Sequence, residues 1–106
     1  MTFAEGMITE ESAEKAAEIV REVLEERFKD EDMVFHQILA KQRFDHDDDE
    51  YLDIYIVYEG DRKLLDPGWT SGLIGLISPQ LTELGIPYPA GKSFIPKHEW
   101  DRIHRG

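Results

Sequence analysis

Cysteine is absent from this chain of 106 residues. Its absence excludes a disulfide framework, a thiolate metal site and a cysteine nucleophile, and it favours the reducing cytoplasm as the location. Long hydrophobic runs are also lacking, because no apolar segment approaches the roughly 20 residues that a membrane-spanning helix needs. The N-terminus does not show the basic, apolar and small-residue order of a signal peptide. We therefore expect a cytoplasmic protein without a membrane partner.

Positive charge is scarce. The chain has 12 Lys and Arg against 23 Asp and Glu, which gives a formal net charge of −11. This charge repels nucleic-acid phosphates, so binding of RNA or DNA would require a locally basic face. In residues 92–105 the basic side chains outnumber the acidic ones, four to two. This segment is too small for a nucleic-acid footprint. We expect cationic partners rather than nucleic acid.

The length and composition predict one domain. A chain of 106 residues can build one hydrophobic core, and 41% hydrophobic residues are enough to fold it without disulfides. No repeat, low-complexity tract or linker divides the sequence. We predict a single domain over residues 1–106, with residues 1–8 and 101–106 as candidate flexible ends.

The first predicted element is a helix. Apolar residues in 10–28 recur at spacings of three and four, which is typical of one buried helical stripe. Thr9 precedes them as an N-cap, and Glu10 and Glu11 suit the positive end of the helix dipole. The sequence therefore predicts a helix that begins at Glu10 and ends at Phe28.

Two strands and a hairpin follow. Residues 33–44 and 51–58 alternate between apolar and polar side chains, which is the strand period. The short acidic segment 45–50 is suited to joining neighbouring antiparallel strands. One candidate register pairs Arg43 with Asp53 and Leu39 with Val57.

The remaining residues predict a second helical region and a third strand. Residues 69–84 carry an apolar helical stripe that ends at Gly85. Pro79 leaves two alternatives, namely one kinked helix or two short helices divided at Ser78. Residues 92–96 predict a strand, with Trp100 beyond it. The expected fold class is α+β, a compact αββαβ domain with a short antiparallel sheet packed against helices.

An alternative order, αββααβ, follows if the second helical region is divided. This order resembles the type II KH fold, which binds nucleic-acid backbone through a GxxG loop, and Gly72-Leu73-Ile74-Gly75 matches that pattern. In KH domains the two inner residues are polar or basic and project from the loop. Here they belong to an apolar helical stripe, so close helix packing is the preferred explanation of the glycines.

The acidic segment is the most distinct chemical feature. Clustered carboxylates bind hard cations such as Mg²⁺ and Ca²⁺, and the candidate metal ligands are Asp45, Asp47, Asp49 and Asp53. An EF-hand is excluded, because Glu50 occupies the position of the turn glycine and Ile56 that of the bidentate glutamate. The corresponding enzyme hypothesis is divalent-metal-dependent phosphoryl or nucleotidyl transfer. The alternative is a solvated hairpin tip whose charges keep the sheet end soluble.

No other pattern predicts catalysis. The histidines show no pair at the spacing of a helical metal site, and no serine lies in a nucleophile elbow, so we predict no catalytic residue and no cofactor. Several apolar and aromatic residues of the two strands can form a half-apolar outer face of the sheet, which would bind a protein. These candidate interface residues are Phe35, Leu39, Tyr51, Tyr55 and Val57. The alternative is that helices cover them.

Three segments of the chain, residues 51–57, 81–87 and 94–100, resemble small uncharacterised bacterial αββαβ proteins. The shared features are a strand, a helix stop and a Phe-containing strand closed by Glu99 and Trp100, and they imply no activity and no site. Together with the charge and the lack of a catalytic pattern, they favour a noncatalytic protein-binding or regulatory module. Its expected partner is another protein or a second copy of the chain.

Overall fold

The computed structural model describes residues 8–86 and 90–103, and its elements follow the predicted order as far as the third strand, which is followed by a helix that was not predicted. They are α1 (Glu10–Arg27), β1 (Met33–Phe44), β2 (Glu50–Gly60), a 3₁₀ turn (Arg62–Leu64), α2 (Pro67–Thr70), α3 (Leu73–Glu83), β3 (Ala90–Pro96) and α4 (Lys97–Ile103). The α+β class and the αββαβ domain are confirmed, and counting α2 separately gives the alternative αββααβ order. None of the helices in the described ranges is long and apolar enough to cross a membrane.

The ends for which the sequence predicts flexibility lie mostly outside the described residues. At the N-terminal end, Ile8 is buried, and its amide donates a hydrogen bond of 3.1 Å to Glu50 Oε2. At the C-terminal end, residues 101–103 complete α4. The structure does not describe residues 1–7 and 104–106.

α1 begins at the residue that its cap predicts. The Thr9 hydroxyl accepts a hydrogen bond of 3.0 Å from the Ser12 amide, and the Ser12 hydroxyl accepts one of 2.9 Å from the Thr9 amide. Together they form a capping box, which satisfies amides that have no partner inside the first turn. The helix packs against β1 and ends at Arg27 rather than Phe28. Its buried apolar stripe consists of Ala13, Ala16, Val20 and Leu24.

The three strands form a mixed sheet in the order β1-β2-β3. β1 and β2 pair antiparallel, as predicted. β3 pairs parallel with β2, so the sheet is not wholly antiparallel as the sequence led us to expect. The reason is the connection, because a chain that crosses one face of the sheet through α2 and α3 returns to the edge in its original direction.

The hairpin register differs from the predicted one. Lys41 pairs with Asp53, and Arg43 pairs with Tyr51, whereas the prediction placed Arg43 opposite Asp53. Pairing continues to the ends of both strands, and the loop between them closes through a hydrogen bond of 3.1 Å from the Asp45 amide to the Asp49 carbonyl. Residues 45–49 are therefore left in the loop, and the pairing of Phe44 with Glu50 sets the register.

The second helical region is interrupted, but not at Pro79. The break falls at residues 71–72, and α3 continues through Pro79, which is exposed. The Asp66 carboxylate accepts a hydrogen bond of 3.1 Å from the Gly68 amide and so starts a separate turn of helix upstream. Both predicted alternatives, a single kinked helix and a division at Ser78, are therefore wrong.

The core lies between one face of the sheet and the helices α1 and α3. On β2, Leu52, Ile54 and Ile56 are fully buried in this cluster together with Tyr58. Because successive strand residues point to opposite faces, Val57 lies on the outer face. It is nevertheless buried, and α4 contacts both β2 and β3. The outer face is thus only partly open to solvent.

A β-bulge interrupts β1 where α1 crosses it. The pairing with β2 shifts between Phe35 and Gln37, which leaves carbonyl groups near the bulge without a ladder partner. Arg21 of α1 supplies donors there, with its Nη1 lying 3.0 Å from the Phe35 carbonyl oxygen and its Nη2 3.4 Å from that of His36. The side chain of Arg21 therefore links α1 to the bulge through hydrogen bonds.

Replacement of Arg21 by alanine is expected to lower the free energy of unfolding by about 1 kcal/mol, because a charged donor to backbone carbonyls is lost. Chemical denaturation measures this change. Lys15→Ala is the matched control, since its ion pair with Glu11 is long, at 3.7 Å, and exposed, so a loss of only about 0.3 kcal/mol or less is expected. Equal losses in the two variants would show that the carbonyl contacts contribute nothing.

Candidate functional site

The acidic loop brings three of the four predicted metal ligands together. Asp45, Asp47 and Asp49 each place a carboxylate oxygen within 4.8 Å of the others, and all three are exposed. The Asp45 carboxylate has a structural role as well, because its Oδ1 accepts hydrogen bonds from the amides of Asp47 at 2.9 Å and Asp49 at 3.0 Å. Such Asx turns are common in loops of this composition. Loop closure thus accounts for Asp45 without a metal.

Asp53, the fourth predicted ligand, belongs to a different network. Its Oδ2 accepts a hydrogen bond of 2.6 Å from the Tyr55 hydroxyl and lies 3.6 Å from Arg43 Nε. The hydrogen bond that Arg43 donates to Tyr55 raises the pKa of Arg43, and so does the electrostatic attraction of Arg43 to Tyr55 and to Asp53. Desolvation has the opposite effect, which is smaller than these together. Among the described residues, Asp53 is therefore outside the carboxylate group of the loop. The arrangement that two-metal chemistry requires is not assembled from these four residues.

Fewer residues of the predicted interface are accessible on the outer sheet face than the sequence indicated. Phe35 is buried in the core, with its ring 5.7 Å from that of Phe28, because the bulge moves it to the inner face. Val57 is buried on the outer face. Leu39, Tyr51 and Tyr55 remain half-buried on that face. The exposed part of the predicted interface is thus limited to these three side chains beside a polar network.

The GxxG residues lie at the start of α3. Leu73 and Ile74 are buried in the core and do not project from a loop as the inner residues of a KH motif would. Close helix packing does not explain the glycines either, since a Cβ added to Gly75 would meet nothing within 4 Å. For Gly72 the nearest atom is the Trp69 carbonyl oxygen at 3.6 Å, an ordinary contact. The preferred sequence interpretation, close packing, is therefore wrong for this pair.

A cleft of about 580 Å³ lies beyond the carboxyl ends of β2 and β3, the edge at which α/β sheets commonly bind ligands. Its lysine and its arginine are already partnered. Lys97 Nζ lies 2.6 Å from Asp101 Oδ2, and this hydrogen bond raises the pKa of Lys97. A hydrogen bond to Tyr58 raises the pKa of Arg62. Lys97 and Asp101 both belong to α4, whereas the bond between Arg62 and Tyr58 joins the 3₁₀ turn to the end of β2. Both cations of the cleft are therefore already engaged within the protein.

A second concave surface, which we call the α1–α3 groove, is apolar. It has a volume of about 400 Å³ and lies between α1, the one-turn helix α2 and α3. Leu76 is 56% exposed there, and Val23 and Trp69 are half-buried. The complete lining is Glu22, Val23, Glu26, Arg27, Trp69 and Leu76.

The groove was not predicted from the sequence, although the helices carry a signal for it. On α3 the buried stripe is Leu73, Ile74, Ile77 and Leu81, and Leu76 lies off it. On α1, Val23 lies beside the fully buried stripe rather than within it. Such residues make the apolar stripe of a helix wider than the neighbouring element can cover. They therefore indicate that the helix has a second apolar contact.

The wall of the groove is held by aromatic packing. The rings of Phe28 and Trp69 meet edge to face at 5.7 Å and 85°. The guanidinium carbon of Arg27 lies 5.2 Å from the centre of the Phe28 ring and 5.4 Å from that of Trp69, within cation–π range. Trp69 is therefore packed between Phe28 and Arg27, and the charge of Arg27 is directed at the rings.

Comparison of the chain with protein-family models, curated proteins and solved structures gives no significant match. The function is accordingly inferred from the geometry of the described residues. Of the surfaces that they form, the α1–α3 groove combines apolar side chains, Leu76 exposed among them, with a packed aromatic wall and an acidic rim.

Proposed function

We propose that this protein is a noncatalytic protein-binding module of the bacterial cytoplasm and that the α1–α3 groove is its binding surface. The observation that carries the proposal is the exposure of Leu76 beside Val23 and Trp69 in a concave apolar surface. Exposed apolar patches with a polar rim commonly mark protein interfaces, and tryptophan is enriched among the residues that dominate binding energy. The lack of cysteine supports the reducing compartment.

The competing functions have less support from the geometry. Metal-dependent phosphoryl or nucleotidyl transfer would need Asp53 to join the loop carboxylates, and it is engaged with Tyr55 and Arg43 instead. Nucleic-acid binding through GxxG would need accessible inner residues, and Leu73 and Ile74 are buried. The outer sheet face remains a smaller candidate surface, because its apolar groups are interleaved with charge.

Replacement of Leu76 by glutamine tests the proposal. We expect the immobilised variant to retain its partner from native cell extract at least about tenfold less well than the wild type, as an apolar anchor at the centre of an interface is lost. Sedimentation of the purified protein shows in parallel whether the partner is a second copy of the chain. Thermal unfolding confirms that the exposed substitution leaves the fold intact.

The matched control is Ile103→Gln, which removes an apolar side chain of even greater exposure, 65%, outside the groove. Retention of the partner by this variant should equal that of the wild type. If the Leu76 and Ile103 variants behave alike, the groove is not the binding surface.

A further inference from the structure

We propose that the α1–α3 groove binds a basic amphipathic helix of a partner protein. This inference rests on the proposed protein-binding function and specifies the partner class for the same surface. Three properties of the groove lead to it, namely the nature of its walls, the charge of its rim and the apolar side chains of its floor.

The walls of the groove are helices, and this determines how a partner can bind. A partner strand needs a free backbone edge for hydrogen bonds, whereas the backbone groups of a helix are satisfied within it. Recognition in the groove therefore depends on side chains alone. An amphipathic helix that places apolar residues at spacings of three and four into an apolar groove is the recognition mode that fits this requirement.

The floor of the groove selects the apolar face of such a helix. Leu76 from α3, Val23 from α1 and Trp69 from α2 line the groove, and the Trp69 ring packs edge to face on Phe28. The groove is open rather than enclosed, which suits the face of another protein better than a small molecule. One face of a helix with large aliphatic side chains would fill it and cover Leu76.

The rim of the groove selects the charge of the partner. Glu22 and Glu26 lie one helical turn apart on α1, and like charges at this spacing repel each other. Glu26 pairs with Lys29 at 3.0 Å, but both side chains are more than half exposed, so this pair is easily exchanged. Arg27 is held against two aromatic rings. Lysine or arginine at the flanks of the partner helix would therefore complement the rim.

The net charge of the protein has the same sign as the rim. At −11 it attracts basic segments and repels acidic ones over the distance that screening allows. Overall charge by itself does not distinguish the groove from other acidic surfaces of the protein. The test must therefore compare carboxylates at the groove with carboxylates elsewhere on the same helix.

The experiment uses a designed amphipathic peptide of about 18 residues, long enough to form a helix on binding, built from Leu and Lys. Matched peptides replace every Lys with Gln or with Glu. Each is titrated into the 106-residue protein labelled with ¹⁵N, and the indole signals of Trp69 and Trp100 report binding at and away from the groove. We expect the Leu/Lys peptide to shift the Trp69 signal and to bind at least tenfold more tightly than the Leu/Gln peptide.

Charge reversal locates the contact. The double variant Glu22→Lys, Glu26→Lys should bind the Leu/Lys peptide at least tenfold more weakly and gain affinity for the Leu/Glu peptide. Its control is Glu14→Lys, Glu18→Lys, which reverses a repelling pair of the same spacing on α1 that does not line the groove. The control should lose less than threefold. All four glutamates are exposed, so both variants are expected to fold.

The outcomes separate the two proposals. Equal affinity for the Lys and Gln peptides, or equal losses in the two double variants, would overturn the preference for a basic helix. Binding at Trp69 in that case would leave the protein-binding function standing. The proposed function itself would fail if no peptide shifts Trp69 and Leu76→Gln leaves partner retention unchanged.

Discussion

Replacement of Gly60 by alanine is expected to lower the free energy of unfolding by about 2–4 kcal/mol, since its backbone conformation is one that only glycine adopts readily. Gly60 ends β2 with a φ of +146°. An added Cβ would lie 2.8 Å from the Asp32 carbonyl oxygen and 3.0 Å from Met33 Sδ. The contact with Asp32 is with backbone, so it cannot be relieved by a side-chain rotation. Urea denaturation, fitted with a common slope, measures the loss.

The control for this prediction is Gly75→Ala. A Cβ at Gly75 would meet nothing within 4 Å, and the residue lies within α3 without a positive φ. Since glycine in a helix costs about 0.5–1 kcal/mol relative to alanine, this variant is expected to be more stable than the wild type by a similar amount. A Gly60→Ala protein as stable as the wild type would mean that β2 does not end in the described conformation.

Truncation of Ile56 to alanine is expected to destabilise the protein by about 3–4 kcal/mol, because lost apolar burial is compounded by a cavity. Ile56 is fully buried on the central strand, where it pairs with Ile38 of β1 and Phe94 of β3. Both edges of the sheet would therefore have to adjust to fill the space. Thermal and chemical unfolding give the value.

Ile103→Ala provides the comparison for the core truncation. This isoleucine has the same chemistry but is 65% exposed, so its loss should change the free energy of unfolding by about 0.5 kcal/mol or less. A small effect at Ile56 with a large effect at Ile103 would contradict the packing described for β2 and α4.

Local signals in the sequence were sufficient for α1 and the hairpin. Thr9 is both the predicted and the observed N-cap, and β1 has the predicted bounds Met33–Phe44. α4 was not predicted, although Lys97 and Asp101 at helical spacing, with Trp100 and Ile103 three residues apart, are signals of a helix. Element type is set mainly by neighbouring residues, which explains why these signals are readable.

The bulge in β1 shows where local reasoning fails. Strict alternation places Phe35 on the same face as Leu39, and this led to its inclusion in the predicted interface. The extra residue between Phe35 and Gln37 reverses the alternation, so Phe35 enters the core. Arg21, a residue distant in sequence, donates hydrogen bonds to the carbonyls at this bulge. No pattern within the strand contains that information.

The candidate site was only partly predictable for a similar reason. The convergence of Asp45, Asp47 and Asp49 follows from their closeness in the loop. Asp53 contacts Tyr55 two residues away on the same strand, and its ion pair with Arg43 forms although the observed register places Arg43 opposite Tyr51. The α1–α3 groove depends on how two distant helices meet. The sequence shows that Leu76 lies outside the buried stripe of α3. That Leu76 and Val23 line one groove depends on tertiary packing.

The mixed sheet has a consequence for the order of folding. β1 and β2 are joined by a short loop and can associate within microseconds, as hairpins do. β3 must be brought to β2 across the whole segment from residue 61 to residue 89, and this closure costs chain entropy before any parallel pair forms. We expect the hairpin and α1 to collapse first and β3 with α4 to dock last. Mutations in β3 should then mainly accelerate unfolding and leave the refolding rate nearly unchanged.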